Sequence, residues 1–288
     1  MDRYNIADLE RLSGIKAHTI RIWEKRYNLF IPQRTDTNIR YYNDEQVKKL
    51  LNISTLLEAG SKISKIANLS EAEFNVHLQA TKKQPDEHLH NFGIINDLVI
   101  ATIDLNELQF NQILTAEIAS LGMYNTVLQV IYPFLQKAGL LWAMNELAPA
   151  HEHFATQIIR RKLLNAINEL PFPQKSDKSF LLFLPPNEWH EIALIFADYI
   201  IRNASYLTLY LGQNVPLIDI ADIIEKRNIT HVITFYTARR ESEQIVKELE
   251  YINLKQNIPF LISYHNDSLT VPQNVIQLKS PAQLLSYL

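Results

Sequence analysis

Two polar side chains late in the sequence have the types and the spacing of a metal ligand and its partner. Glu188 and His190 stand two residues apart, directly after an apolar, strand-like run over 180–184. A neutral imidazole binds transition metals well, and a nearby carboxylate can orient it by accepting the proton of its second ring nitrogen. The residues alone leave a second interpretation open, in which His190 is an exposed histidine in the first turn of a helix.

A second group of side chains, near the start of the chain, has the chemistry to bind a polyanion. Residues 11–40 contain seven Lys or Arg and two Asp or Glu. A short helix is predicted over 18–26, with Ile22 facing inward. Arginine holds phosphates and reads guanine edges, and we expect eight residues to contact DNA: His18, Thr19, Arg21, Arg26, Tyr27, Arg34, Arg40 and Tyr41. A solvated basic face explains the same charges equally well.

Charge is divided unevenly along the chain. Residues 1–83 carry 14 basic and 10 acidic side chains, a net charge of +4, whereas the remaining 205 residues carry 14 and 21, a net charge of −7. A basic head followed by an acidic body predicts an anionic partner for the head only.

The composition excludes several classes of protein. Only six of 288 residues are Gly, and neither a GxGxxG motif nor a P-loop motif occurs, which argues against nucleotide-dependent dehydrogenases, P-loop ATPases and kinases. The absence of Cys excludes disulfides, thiolate zinc sites and a cysteine nucleophile. The N-terminus is polar and no run of ~18 apolar residues occurs, so we expect a soluble, cytoplasmic protein without a membrane helix.

Apolar periodicity divides the chain into three folded blocks. Residues 1–75 have the pattern of short helices around a hairpin-like stretch, as in a winged helix-turn-helix. Residues 91–170 show helical periodicity with short connections, which is typical of a four-helix bundle. Residues 179–288 alternate strands with helices and predict a doubly wound parallel sheet of Rossmann or flavodoxin type. The fold class is therefore multidomain, α and α/β, with predicted linkers at 76–90 and 171–178.

Several motifs in the first block resemble the winged helix-turn-helix of the MerR family of transcriptional regulators. They are YNIAD (4–8), TIRIWEKRY (19–27), PQRTD (32–36), IRYY (39–42) and LLEAG (56–60). The resemblance implies DNA binding, and the Trp23-Glu24 pair is similar to the branch that is fused to cobalamin-binding domains. Where the family has Gly in two turns, this chain has Asn28 and Asn38, and Asn tolerates positive φ better than most residues.

The second block resembles the helical cap of B12-dependent photoreceptor repressors of the CarH type. The segments AGLLW and APAHEH carry the match. The resemblance implies that Trp142, Glu152 and His153 cover the upper face of adenosylcobalamin, although the residue types alone fit ordinary packing as well. In the light-sensing type a His that can bind cobalt follows the Trp, whereas this chain has Ala143 there.

The loop after the first predicted strand resembles the cobalamin-binding signature Asp/Glu-x-His-x-x-Gly. The resemblance makes His190 the lower ligand of cobalt, with Glu188 beside it. The family keeps small residues around the channel for the nucleotide tail of the cofactor. Larger residues stand at four of those positions here: Ala193, Tyr236, Ser263 and Tyr264. They predict weaker binding of the tail, or a filled tail pocket.

Together these features predict a DNA-binding transcriptional regulator, expected to be a repressor, that binds operator DNA as a homodimer or a higher homo-oligomer under the control of a B12-binding-like module. An alternative keeps DNA binding but makes the sheet domain a protein-interaction or oligomerisation module without cobalamin. A corrinoid carrier or enzyme is a third alternative, and it is disfavoured because no convergent catalytic groups can be named.

Overall fold

A computed structural model of the chain describes residues 3–142, 148–238, 240–253, 258–264 and 271–288. Two compact units are present, Met1–Ile158 and Ile159–Leu288, and the boundary between them falls inside one helix. The first unit contains the basic head and most of the helical bundle, and the second contains the sheet.

The head begins with a helix-turn-helix. Asn5 caps the first helix through a capping box with Asp8, and Gly14 ends this helix in a left-handed conformation at φ 73°. A second capping box, between Asn43 and Gln46, starts the long third helix. The elements are α1 (Ile6–Ser13), α2 (Ala17–Tyr27), β1 (Gln33–Arg34), β2 (Arg40–Tyr41), α3 (Asp44–Glu58), α4 (Ile63–Ile66) and α5 (Glu71–Lys82).

One inward-facing residue of α2 was predicted wrongly. Ile22 is 52% exposed, whereas Ile20 and Trp23 are buried in the head. Residues three apart share a helix face, so Ile20 and Trp23 set the inward side of α2 and Ile22 points away from it. The outward face of α2 therefore contains an apolar residue among the polar ones.

The polar stretch predicted as a linker over 76–90 is mostly helical. Helix α5 continues to Lys82 and α6 starts at Glu87, after an N-cap by Asp86. Polar residues occur there because they lie on solvated helix faces. Within this unit the head also packs on α6: Lys48 of α3 forms an ion pair with Asp104 at 2.9 Å.

The bundle has the helices that the sequence predicts. Gly122, at φ 75°, breaks the second of them, and Pro149 begins the last. Phe110 packs edge-to-face against Phe134 and Phe154, with ring centroids 5.5 and 6.0 Å away. The elements are α6 (Glu87–Ile103), α7 (Glu107–Thr126), a π-helical turn (Val127–Ile131), α8 (Tyr132–Trp142) and α9 (Pro149–Asn168).

One part of the bundle is apolar and long enough to be a candidate membrane span. This stretch, Glu107–Gly139, is interrupted by the non-helical backbone of Gly122. Its residues Phe110, Leu114 and Phe134 are fully buried in the bundle. A core helix of a helical bundle has the same composition, so the stretch does not indicate a membrane protein.

The second unit contains a five-stranded, all-parallel sheet with helices between the strands, which confirms the predicted fold class. The strands stand in the order β4-β3-β5-β6-β7. Strand β4 is added on one side of β3 and the later strands on the other, so the strand order reverses between β3 and β5. Strand β3 already begins at Lys175, inside the stretch predicted as a linker over 171–178. The elements are β3 (Lys175–Phe183), α10 (Ile192–Asn203), β4 (Tyr206–Gly212), α11 (Leu217–Lys226), β5 (His231–Phe235), α12 (Ser242–Asn253), β6 (Phe260–Ser263), β7 (Val275–Gln277), α13 (Pro281–Leu284) and a final 3-10 turn (Leu285–Tyr287).

Candidate functional sites

The outward face of α2 presents most of the predicted DNA-contacting residues to solvent. His18, Arg21 and Arg26 are exposed, and Thr19 and Tyr27 are partly exposed. The guanidinium carbon of Arg26 lies 5.4 Å from the Tyr27 ring centroid, which is a cation–π contact. These side chains lie on one helix and are accessible to a DNA groove.

Glu10 organises the turn before α2, a role that the sequence analysis missed. Its carboxylate accepts a hydrogen bond from the Ala17 backbone N–H at 2.9 Å and pairs with Lys16 at 2.9 Å. These two interactions hold the pKa of Glu10 below its ordinary value. Lys16 stands at the N-cap of α2 and its side chain makes no capping hydrogen bond, so Glu10 satisfies an end of the helix that would otherwise lack a side-chain acceptor.

The wing is a two-stranded antiparallel hairpin in which Arg34 pairs with Arg40 in register. Arg34 is exposed and donates to the side-chain oxygen of Asn38 at 2.7 Å. Asn38 and Asn28 have φ of 65° and 52°, so both turns have the left-handed backbone that Gly adopts most readily. The prediction that Asn can replace these glycines is confirmed.

Arg40 and Tyr41 are less free to contact DNA than the sequence analysis assumes. Arg40 lies 3.6 Å from the carboxylate of Glu24, which is only 7% exposed and also accepts a hydrogen bond from the Tyr42 hydroxyl. Tyr41 is partly buried, with the guanidinium of Arg3 4.8 Å from its ring centroid. Glu24 thus connects α2 to the wing, and Arg40 has a structural partner as well as a partly exposed side chain.

The residues expected to form a cap lie at the junction of the last two bundle helices. Glu152 is partly exposed and His153 is exposed in the first turn of α9. Trp142 is the last residue of α8, while Ala143 and the side chain of Trp142 lie outside the described part of the chain. Glu152 and His153 are therefore adjacent and accessible, as a cap would require.

Glu188 and His190 form a close pair in the loop after β3. The Nδ1 atom of His190 lies 2.6 Å from Oε1 of Glu188, and the side chains are 51% and 0% exposed, respectively. If Glu188 holds the proton of Nδ1, Nε2 carries the lone pair that binds a metal. His190 is half exposed and lies just before α10, which begins at Ile192, so it stands outside the first turn of that helix.

Glu188 is also anchored to the neighbouring strand. Its Oε2 accepts backbone hydrogen bonds from Thr237 and Ala238, directly after β5, at 2.9 Å each. Burial opposes the charge, but hydrogen bonds from the His190 ring and from backbone N–H groups outweigh it and lower the pKa of Glu188 to about 2. The carboxylate is therefore ionised at neutral pH and holds His190 at the sheet edge.

The large residues that replace small ones are packed into the sheet domain. Tyr236 is 2% exposed and belongs to the core cluster with Phe183 and Ile262, against which Tyr264 packs. Arg240 lies over the Tyr236 ring at 5.5 Å and pairs with Glu248 at 3.1 Å. The contacts of Arg240 could not be predicted from the sequence. Its partners, Tyr236, Glu248 and the carbonyl oxygen of Pro186, come from three separate segments.

This arrangement fits one part of a cobalamin and does not fit another. The His190–Glu188 pair has the donor set and the exposure of an axial ligand for cobalt. The buried Tyr236 and the fixed Arg240 occupy the space next to that pair, where a nucleotide tail would need an open channel. Among the residues that the structure describes, no cluster of three or more His, Asp or Glu side chains forms a different metal site.

Two family matches agree with these sites. Residues 4–73 match the family described as "MerR HTH family regulatory protein", and residues 94–165 match the "B12 binding domain" family. The first match covers the head with α2 and the wing, and the second covers the helical bundle.

Similarity to individual proteins extends over the sheet as well. The chain is 26% identical to "HTH-type transcriptional repressor CarH" of Myxococcus xanthus, over 89% of this chain and 85% of that protein. It is 34% identical to "HTH-type transcriptional regulator MlrA" of Escherichia coli (strain K12), over 31% of this chain and 36% of that protein. A Methanosarcina barkeri monomethylamine corrinoid protein shares the fold, with a TM-score of 0.52 at 9% identity over 68% of this chain and 97% of that one.

Proposed function

We propose that this chain, which joins a MerR-type helix-turn-helix to a B12-binding domain in an architecture of the CarH type, is a DNA-binding transcriptional regulator controlled through that domain. The observation that carries the proposal is the exposed basic face of α2, with Arg21 and Arg26, next to the exposed Arg34 of the wing. The similarity to a repressor over most of the chain favours repression. We place the protein in the cytoplasm, where its DNA is, and assign it no catalytic activity.

The regulator would act as a homodimer or a higher homo-oligomer on a two-fold operator. A winged helix-turn-helix contacts one major groove, so two copies would bind half-sites about 34 Å apart, one turn of the duplex. The exposed arginines would hold phosphates and read base edges. The molar mass in solution, by light scattering with and without DNA, tests the assembly.

The controlling ligand would be a corrinoid, with adenosylcobalamin as the form that the CarH-type architecture implies. His190, oriented by Glu188, would hold the cobalt from the sheet side. The CarH-type architecture also implies that Trp142, Glu152 and His153 of the bundle would contact the corrinoid. When bound, the corrinoid would supply a cobalt centre whose ligands can be exchanged, and the protein's part would be to bind, orient and shield it.

DNA binding by the full-length protein tests the central proposal. A mobility shift with the DNA upstream of its own coding sequence is expected to show specific binding that weakens steeply as salt rises, because counterions are released from the phosphates. Binding that is equally strong to an unrelated duplex, or that does not depend on salt, would contradict the proposal.

A second candidate function keeps the DNA-binding head but makes the sheet domain a protein-interaction module without a corrinoid. The burial of Tyr236 in the position of a ligand channel favours it. Visible absorption after incubation with a corrinoid and gel filtration separates the two candidates. A retained chromophore that is lost in His190→Ala supports corrinoid control, whereas no chromophore in either protein supports the interaction module.

A further inference from the structure

Protein groups close the crevice of the sheet at the point where a ligand would enter. Parallel sheets bind ligands outside the carboxyl ends of their strands, where the strand order reverses. Here that point lies between β3 and β5. Glu188, after β3, is joined to the backbone N–H groups of Thr237 and Ala238, after β5, so the two loops are fastened together.

Tyr236 and Arg240 fill the space next to the hydrogen bonds that join these two loops. The Tyr236 ring is 2% exposed within the hydrophobic core, and its backbone N–H donates to Ser263 of β6 at 2.9 Å. Arg240, over that ring, is fixed by Glu248 and by the carbonyl oxygen of Pro186 in the His190 loop. A group entering here would have to displace a packed aromatic ring and a paired guanidinium, which is costly in a well-packed interior.

His190 differs from its surroundings in accessibility. Half of its side chain is exposed, while its partner Glu188 is fully buried. The next residue, Glu191, is held by Arg160 at 2.9 Å and by the Tyr210 hydroxyl at 2.8 Å. The imidazole is therefore presented on a rigid loop above a closed floor, which suits a flat ligand that is coordinated from one side.

Two classes of corrinoid differ in how they would fit this geometry, namely complete cobalamins and corrinoids without the lower nucleotide. A complete cobalamin carries a nucleotide tail that ends in a base. If that base stays on the cobalt, it occupies the coordination position that His190 would use. If His190 displaces the base, the tail must lie on the same side of the macrocycle as His190, where Tyr236 and Arg240 are packed. A corrinoid without the nucleotide meets neither obstacle.

We propose that this site is selective for corrinoids that lack the lower nucleotide, the cobinamide class, and that Tyr236 is the residue that excludes the tail. The inference rests on the proposed function, because it takes this site to be the corrinoid site of the regulator. It deepens that function by naming the ligand class to which the regulator responds.

Titration of the full-length protein with two probes tests the selectivity. Aquacobinamide is expected to bind about tenfold more tightly than hydroxocobalamin, or by a larger factor, since overpacking of this order disfavours the tail. Its visible bands are expected to move toward those of an imidazole-ligated corrinoid, and this shift should disappear in His190→Ala. Equal affinities, a preference for hydroxocobalamin, or no binding of either probe would overturn the inference.

Two substitutions at one position test the role of Tyr236. Tyr236→Ser opens the channel and is expected to reduce the ratio of the two affinities, whereas Tyr236→Phe keeps the ring volume and should leave the ratio unchanged. A folded Tyr236→Ser protein with an unchanged ratio would overturn the role of Tyr236. Circular dichroism checks folding. If the Ser variant does not fold, the ratio of the two affinities in the unsubstituted protein decides whether the site is selective.

A mobility shift on the same preparation, without corrinoid, separates this inference from the proposed function. Specific DNA binding together with equal affinities for the two probes would remove the selectivity and leave the regulator intact. Loss of DNA binding with selective cobinamide binding would remove the regulator and leave the ligand class intact.

Discussion

Lys137 of α8 donates a hydrogen bond to the side-chain oxygen of Asn96 on α6, at 2.5 Å. Asn96 is fully buried, and its amide nitrogen lies 2.9 Å from the Thr55 hydroxyl and 3.2 Å from the Leu51 carbonyl oxygen, both on α3 of the head. A chain of polar contacts therefore joins the helix that ends at Trp142 to the helix that supports the wing. These contacts place Asn96 of α6 between Lys137 of α8 and two residues of α3.

Because Lys137 is buried, the free energy of unfolding should depend on pH in the alkaline range. Burial lowers the pKa of Lys137 to about 8, below its ordinary 10.5, so the unfolded chain holds the proton more strongly than the folded protein. The free energy of unfolding should therefore rise by about 1.5 kcal/mol between about pH 8 and about pH 9.5, as the folded protein loses this proton first. Urea denaturation across this range measures the change.

Lys137→Met is the control for this pH effect. It removes the titrating group while keeping most of the side-chain volume over the Phe92 ring, which the Lys137 ammonium approaches to 5.4 Å. The rise in stability between about pH 8 and about pH 9.5 should then be lost. A rise of the same size in the Met variant would show that another group is responsible.

Arg21→Ala is expected to weaken operator binding and to reduce its dependence on salt. The side chain is exposed on α2, so its loss should remove about one phosphate or base contact, with a salt slope lower by about 1 in the case of a phosphate. Arg227→Ala, an exposed arginine of the sheet domain, is the matched control. Equal losses in the two variants would argue against a specific groove contact.

Arg40 and Arg34 should behave differently although they pair in the same hairpin. Arg40→Ala leaves the nearly buried carboxylate of Glu24 without its cation and should lower the free energy of unfolding by about 1 kcal/mol, as well as weakening DNA binding. Arg34→Ala, on the exposed side, should weaken DNA binding with little effect on stability. Thermal denaturation and a DNA titration of both variants separate the two roles.

Asn28 tests whether positive φ limits substitution at the end of α2. Asn28→Ala keeps a Cβ in the left-handed region but removes the short polar side chain that makes this region tolerable for Asn, and should cost about 1 kcal/mol. Asn28→Gly, which removes the Cβ from this position, should be neutral or slightly stabilising. Denaturant midpoints of the two variants give the comparison, and a midpoint for Ala equal to that for Gly would remove the backbone explanation.

The elements of this protein could largely be predicted from sequence because their ends carry local signals. Gly122 breaks a helix and Pro149 begins one, and both act within a turn of their own position. The polar contacts that connect elements could not be predicted in this way. Lys137 and Asn96 are 41 residues apart, and nothing in either segment indicates the other.

In the candidate sites, too, local contacts could be predicted from the sequence and contacts between distant segments could not. Glu188 and His190 were predictable as a pair because their contact is local. Arg240 was not, since its interactions with Pro186, Tyr236 and Glu248 exist only once β3, β5 and α12 are assembled. The prediction for Ile22 was wrong because the inward side of α2 is set by Ile20 and Trp23, which are three residues apart, and Ile22 does not share their face.

The burial of Asn96 against α3 has a practical consequence for engineering. A biosensor built by grafting this head onto another receptor, with the cut at residue 75, would strip α6 from α3 and remove the Asn96 amide from the Thr55 hydroxyl and the Asp104 carboxylate from the Lys48 ammonium. A fusion point after Asp104 would keep both of these contacts. The transplantable module is thus larger than the DNA-binding fold alone.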